Sequence, residues 1–162
     1  MKETVHVKLD IEPFKHELQK YGVNMQKEVA KLVEDVILKI DERTKEDTPV
    51  NFGGLRSSWR FEVSPESARI LGEEYTDLNY AKYVEEGTKP HWPPLDALQT
   101  WAKYKFKLDW EEAKQAAYLI GRAISVKGTK AVKMLENAVN EVRPLWEQGL
   151  EKILKKFERG EL

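Results

Sequence analysis

The side chains able to do chemistry are few in this 162-residue chain, and their spacing does not assemble a reaction centre. There is no cysteine, which removes thiolate nucleophiles, disulfides and every zinc site that needs sulfur. His6, His16 and His91 are scattered and match no His-Glu-x-x-His or similar metal spacing. Ser57, Ser58, Ser64, Ser67 and Ser125 lack the context of a nucleophile elbow. Glu85 and Glu86 are adjacent, so on a helix they point about 100° apart and do not form a paired acid and base. The expectation is therefore no catalytic residue, no metal site, no cofactor and no enzyme.

Two fragments come closer to a binding motif. Gly87-Thr88-Lys89 and Gly128-Thr129-Lys130 look like parts of a phosphate loop, but that loop needs a glycine five residues earlier and a lysine directly after the second glycine. Those earlier positions hold Lys82 and Ala123. Each pair reads better as a helix stop followed by the next start, and the likeness between them is too short for an internal repeat. The stretch 101–107 interleaves Trp101, Tyr104 and Phe106 with Lys103, Lys105 and Lys107, a pattern that binds single-stranded nucleic acid by stacking and charge. Helical spacing opposes that reading, because Leu98, Trp101, Tyr104 and Leu108 share one face and Lys103 and Lys107 another. Lys and Arg number 27 against 28 Asp and Glu, so no global field draws nucleic acid or an anionic membrane. A nucleic-acid-binding module on segment 101–107 is the second reading, behind a protein–protein role.

The elements that position these residues follow from periodicity. The 41% hydrophobic and 34% charged content is that of a soluble globular protein, and the length is that of one domain, 1–162. No apolar run approaches the roughly 18 residues of a membrane span, and the N-terminus lacks the apolar stretch of a signal peptide. The missing cysteines are compatible with a reducing, intracellular setting, and the Lys/Glu bias resembles thermophile composition. Val5, Val7 and Leu9 alternate as in a half-buried strand. From Phe14, apolar residues at Leu18, Tyr21, Met25, Val29, Leu32, Val36 and Ile40 recur by threes and fours, with Val33 and Ile37 widening the stripe. They predict a helix to about Asp47, ended before Pro49 and on the order of 50 Å long. That length exceeds a compact domain of this size, so part of the stripe is expected to be covered by a neighbouring subunit; a heptad dimer fits the drifting stripe less well.

Beyond it, 51–54 is turn chemistry, and a β-hairpin is expected over Ser58–Ser64 and Ala68–Gly72, with a third strand near Tyr75–Leu78. A short helix over Tyr80–Glu86 should end at Gly87 in a left-handed cap. Thr88–Pro94 should be extended, since each residue ahead of a proline is pushed that way. Helices follow over Leu95–Tyr104 and Trp110–Lys127. The second carries the stripe Ala113, Ala117, Ile120 and Ile124, and Gly128 is its cap. Thr129 is expected to cap a last helix with the stripe Val132, Leu135, Val139 and Val142, kinked or restarted at Pro144. Leu145, Leu150, Ile153, Leu154 and Phe157 continue its apolar face. The sum is an α+β fold, a small antiparallel sheet packed with a long N-terminal helix and several C-terminal helices.

The most informative stretch is Tyr80–Trp101, read with Thr48–Trp59. Its glycine, threonine and paired prolines fix a chain path, and Gly87, Thr88, Pro90, His91, Trp92, Pro93 and Pro94 form a stiff loop suited to gripping another protein. For His91 an orienting hydrogen bond is expected rather than catalysis. Pro49, Gly53, Gly54, Leu55 and Arg56 are the candidate turn motif.

These blocks resemble a known family, the HK-ninety-seven-type head–tail joining and tail-completion proteins of tailed bacteriophages and prophages. Thr48-Pro-Val-Asn-Phe-Gly-Gly-Leu-Arg-Ser-Ser-Trp59 is similar to the family's Pro-Val-Asp-Thr-Gly-x-Leu-Arg-x-Ser. Tyr83-Val-Glu-Glu-Gly-Thr88 resembles its Tyr-Val-Glu-aromatic-Gly-Thr, and Pro93 and Pro94 match the proline-containing segment that follows. Trp101-Ala-Lys-Tyr-Lys105, Ala117–Ile124 and Lys127-Gly-Thr129 resemble its C-terminal helices. The likeness covers most of the chain in order; Asn51 and Phe52 stand where the family has Asp-Thr, and Glu86 where it has an aromatic. The resemblance implies a non-enzymatic virion morphogenesis protein that forms or completes the neck, made in the host cytoplasm and placed at the virion head–tail junction. Its implied partners are further copies of itself in a ring-type homo-oligomer and other neck or tail proteins, such as the portal-connector or the tail tube. No membrane partner is expected, and the balanced overall charge disfavours a nucleic-acid partner.

Overall fold

The computed structural model describes residues 5–10, 23–50, 54–66 and 69–161. The alternation seen at Val5 and Val7 becomes β1 (Val5–Asp10), and the expected hairpin becomes β2 (Arg60–Glu66) and β3 (Arg69–Thr76). They form one antiparallel sheet in the order β1-β3-β2, with Val7 opposite Glu74 and Glu74 opposite Phe61. Residues opposite one another share a face. Val5, Val7, Phe61 and Val63 therefore lie on one side, packed against the core. The other side is polar: Lys8 pairs with Glu73 at 3.1 Å, and the Tyr75 hydroxyl donates to Glu62 at 3.2 Å. The separate third strand expected near Tyr75–Leu78 does not exist. Tyr75 and Thr76 end β3, because pairing with β1 continues through them.

The long stripe forms α1 (Val23–Asp47), about 37 Å over its 25 residues. The expected start at Phe14 lies outside the described residues. The described part of the stripe is covered within the chain, by the sheet and by α6 (Met134–Glu158), so it needs no neighbouring subunit. The two helices run antiparallel, with ion pairs between Glu28 and Lys156 at 2.9 Å and between Arg43 and Glu141 at 2.8 Å. Val36, Ile37, Ile40, Met134, Leu135, Ala138 and Val142 close one hydrophobic cluster with Leu55, Trp59 and Ala81. Met25, Val29, Val33, Ile70 and Ile153 form a second. Pro144 does not restart α6, which is continuous through it. Proline deletes a single helical bond, here to the Asn140 carbonyl, and both residues face solvent. Leu145 and Leu154 are likewise exposed rather than part of the apolar face.

Asp41, Thr44, Glu74 and Trp101 each have a buried side-chain atom without a hydrogen-bond partner among the described residues, and Glu74 is the case with an electrostatic consequence. Glu74 is fully buried on the sheet face that carries Val7 and Phe61, and neither of its oxygens has a hydrogen-bond partner among the described residues. Burial, and secondarily the Asp41 carboxylate on α1, pushes its carboxyl up to about 8, with Lys45 opposing. Lys45 is held by Asp41 at 2.6 Å. Glu74 is therefore held mainly in its acid form at neutral pH.

The remaining helices are α2 (Gly54–Ser58), α3 (Ala81–Glu86), α4 (Leu95–Phe106) and α5 (Trp110–Lys127). Asp109 caps α5 in a reciprocal box: the Glu112 N–H donates to the Asp109 carboxylate at 2.9 Å, and the Asp109 N–H to the Glu112 carboxylate at 3.0 Å. Helices α4 and α5 pack principally on each other and supply no residue to either hydrophobic cluster. They form an antiparallel arm attached to a body of sheet, α1 and α6.

Candidate functional site

The arm is joined to the body where its two connections cross. Residues 84–88 leaving α3 meet residues 129–133 leaving α5. Thr88 and Thr129 exchange both backbone hydrogen bonds, at 3.0 and 3.1 Å, as an antiparallel bridge. Their hydroxyls lie 3.0 Å apart. Further along, the Val132 N–H donates to the Val84 carbonyl at 3.0 Å and the Lys133 N–H to the Glu85 carbonyl at 3.1 Å. The two Gly-Thr fragments stop their helices, as expected, and are in addition partners of one another.

Glycine is required on both sides of this crossing. Gly87 has φ 71 and ψ −174, and Gly128 has φ 70 and ψ −161. That region is essentially closed to residues with a Cβ, and it is not the left-handed cap that a helix-ending glycine leads one to expect. A Cβ on Gly87 would also collide with the Thr129 carbonyl oxygen, and one on Gly128 with the Thr88 carbonyl oxygen.

Glu85 finishes the junction. It is buried, and its carboxylate accepts from the backbone N–H groups of Leu135 at 3.1 Å and Glu136 at 3.0 Å. An acid from α3 therefore caps α6, satisfying two of the orphan donors at its start and meeting the positive end of its dipole. Thr129, expected in that role, is committed to Thr88 instead. Lys133, held left-handed at φ 59, begins the helix.

The candidate loop is divided by this geometry. Gly87 and Thr88 belong to the crossing. Pro93 is buried against the arm, where Gly121 leaves room: a Cβ there would come within 2.8 Å of Leu95 Cδ2 and 3.7 Å of Pro93 Cγ. Trp92 is half-exposed and meets Tyr118 edge to face, with ring centroids 5.9 Å apart. Pro90, His91 and Pro94 are exposed. His91 holds an orienting bond, its Nδ1 lying 3.0 Å from the Lys89 carbonyl, which requires the proton on that nitrogen.

The turn motif serves the body. Pro49 is exposed just past α1, Gly53 lies outside the described residues, and Gly54, Leu55 and Arg56 start a single helical turn rather than an open turn. Leu55 is in the core, and Arg56 donates to the Glu46 and Thr48 carbonyls at 3.2 and 3.3 Å, closing the end of α1. Thr48 accepts from the buried Trp59 indole at 3.0 Å. The described residues of this block clamp a helix end.

The arm itself is thinly cored. Its buried contacts are the small residues Ala102, Ala113, Ala117 and Gly121, which let the helices approach closely. Large apolar groups lie outside: Tyr118, Leu119 and Val126 along α5, and Tyr104, Phe106 and Trp110 at the tip, all more than half exposed. An open groove of about 640 Å³ beside Tyr118 and Leu119 includes Leu95, Asp96, Glu111 and Lys114 in its walls. At the tip, Phe106 packs edge to face on Trp101 at 5.4 Å, and the Lys103 ammonium sits 4.6 Å from the Trp110 ring centroid. The face expected to be core is split: Trp101 turns inward, whereas Tyr104 is 59% exposed. Helix α4 also runs to Phe106 rather than stopping at Tyr104.

Glu85, Thr129 and the exposed α5 residues carry the site without having been singled out for it in the sequence. The available signal was the repeated Gly-Thr-Lys at the ends of two helices, whose meaning lies in its mutual pairing. No group of three or more His, Asp or Glu that could hold a metal ion occurs among the described residues, and no helix among them is long and apolar enough to cross a membrane. No protein-family model, curated protein or solved structure matches the chain.

Proposed function

We propose that this protein is a non-enzymatic structural component of a phage or prophage particle, forming or completing the head–tail junction by ring-type association with copies of itself and with other neck or tail proteins. The observation that carries the reading is the arm. A helical hairpin joins the body at a hydrogen-bonded crossing and shows aromatic and aliphatic side chains to solvent along its length. Exposed apolar groups of that kind are what protein–protein contacts bury. The family-like blocks support the reading from another side. Thr48, Leu55 and Trp59 build the body, and Val84 to Thr88 fix the arm to it, so these motif residues serve the placement of a surface. The test is light scattering and electron microscopy of the full chain, with and without Trp92→Ala. Closed oligomers in the wild type that are lost or weakened in the variant support it; oligomers unaffected by the change would remove the loop from the interface.

A second reading is a nucleic-acid-binding module on segment 101–107. The exposure of Tyr104 and Phe106 beside Lys105 and Lys107 favours it, since ring faces and ammonium groups share the tip. Binding of a single-stranded oligonucleotide that weakens steeply with salt would support this alternative.

A further inference from the structure

We propose that the basic tip of the arm in one copy docks on the acidic, tyrosine-bearing surface around α3 of the next, making the contact between copies head-to-tail. The inference deepens the assembly reading above and rests on it. Charge is segregated along this nearly neutral chain. Between Thr88 and Lys130 there are eight Lys and Arg against four Asp and Glu; between Glu62 and Glu86 there are seven acidic residues against two basic ones, and five acidic ones remain when buried Glu74 and Glu85 are set aside. The arm therefore carries the positive excess and the body the negative, and one molecule offers both halves of a complementary contact.

The two surfaces are also chemically matched. At the tip, exposed Lys105 and Lys107 flank Tyr104, Phe106 and Trp110. Around α3, Asp77, Tyr80, Tyr83 and Glu86 are exposed at intervals of three residues. Ammonium groups over tyrosine rings and opposite carboxylates add direction to the apolar contact.

Geometry selects the occupant. Helix α3 adjoins the base of the arm, and the 12 residues of α4 carry the tip about 18 Å away from that base. A tip at the far end of a paired helical hairpin does not reach α3 of its own chain. Two arms meeting about a two-fold axis would oppose lysine to lysine, which is repulsive. Tip against α3 joins unlike surfaces and is heterologous, the type of contact that closes rings or runs on as filaments.

Sedimentation velocity of the full chain tests this at low and high salt, using wild type, Lys105→Glu/Lys107→Glu, Asp77→Lys/Glu86→Lys and an equimolar mixture of the two variants. Wild type should associate at low salt and dissociate as salt screens the contact. Each variant, shown folded by circular dichroism, should associate at least about tenfold more weakly. The mixture should recover association, because the intact tip of one variant meets the intact α3 surface of the other and the two reversed surfaces are again opposite in charge. Oligomers that persist in both variants would overturn the inference while leaving self-assembly standing on another surface. A wild type that stays monomeric at low salt would overturn it too. If the tip lysines are then needed for binding a thymidine oligonucleotide, the tip is a nucleic-acid site.

Discussion

The body and the arm are both helical, yet they solve the burial problem in opposite ways. In the body, branched and long side chains from α1, α6 and the sheet fill two clusters, and Val33, Ile37 and Met134 are wholly buried. In the arm, alanines and a glycine occupy the contact, and many of the large residues face solvent. Filling a core with large groups stabilises a shape; keeping them outside leaves apolar area for something else to cover. The difference separates a scaffold from the surface it carries. Only two connections join them, and these are paired with each other at Thr88 and Thr129.

The sharpest way to break this contrast is truncation on both sides. Ile37→Ala should cost about 3–4 kcal/mol in urea denaturation, while Leu119→Ala, at 65% exposure, should stay within about 0.5 kcal/mol. Equal losses would mean that the arm is as fully packed as the body. Next comes the joint. Gly128→Ala should cost about 2–3 kcal/mol, from backbone strain and the clash with Thr88. Amide exchange at Thr88 and Thr129 should accelerate well before that of α1; uniform acceleration would show that the joint is not a separate unit. Glu85→Ala should remove about 1–2 kcal/mol by uncapping α6, detectable as faster exchange at Leu135 and Glu136.

The last effect begins near zero and grows with pH. Because the folded-state carboxyl of Glu74 titrates near 8, above its ordinary 4.5, folded protein keeps a proton that unfolded protein releases. The stability linked to that proton is complete below about pH 4.5 and is lost as pH rises towards and through 8. Glu74→Gln carries no such proton, so its stability advantage over wild type should widen across this window and level off above it. Thermal denaturation from pH 4 to 9, a range of about five units, measures the gap. A constant gap would mean that Glu74 is not buried in its acid form.

Much of the fold was legible from spacing. The stripe from Met25 to Ile40, the Trp110–Lys127 helix and the hairpin are local patterns, since hydrophobic period is a property of neighbouring residues. Legibility failed where a residue's partner is distant in sequence. Thr88 and Thr129 are 41 positions apart, and Glu85 reaches a donor 50 positions away. Tyr104 was misplaced for a related reason: a helical face marks which residues lie together, but not whether another element arrives to cover them. Pro144 did not end α6, which is held along α1 on both sides of it through Glu141 and Lys156.

By itself, the order of residues determined which segments coil or extend, which glycines interrupt them, and that no cysteine chemistry is possible. These follow from backbone sterics and side-chain type, which act within a few residues. Three-dimensional packing alone decided that one Gly-Thr pair crosses the other, that Glu85 caps a helix it does not belong to, and that Glu74 keeps its proton. Each depends on a low-dielectric neighbourhood or a hydrogen-bond partner that exists only after distant parts of the chain have met.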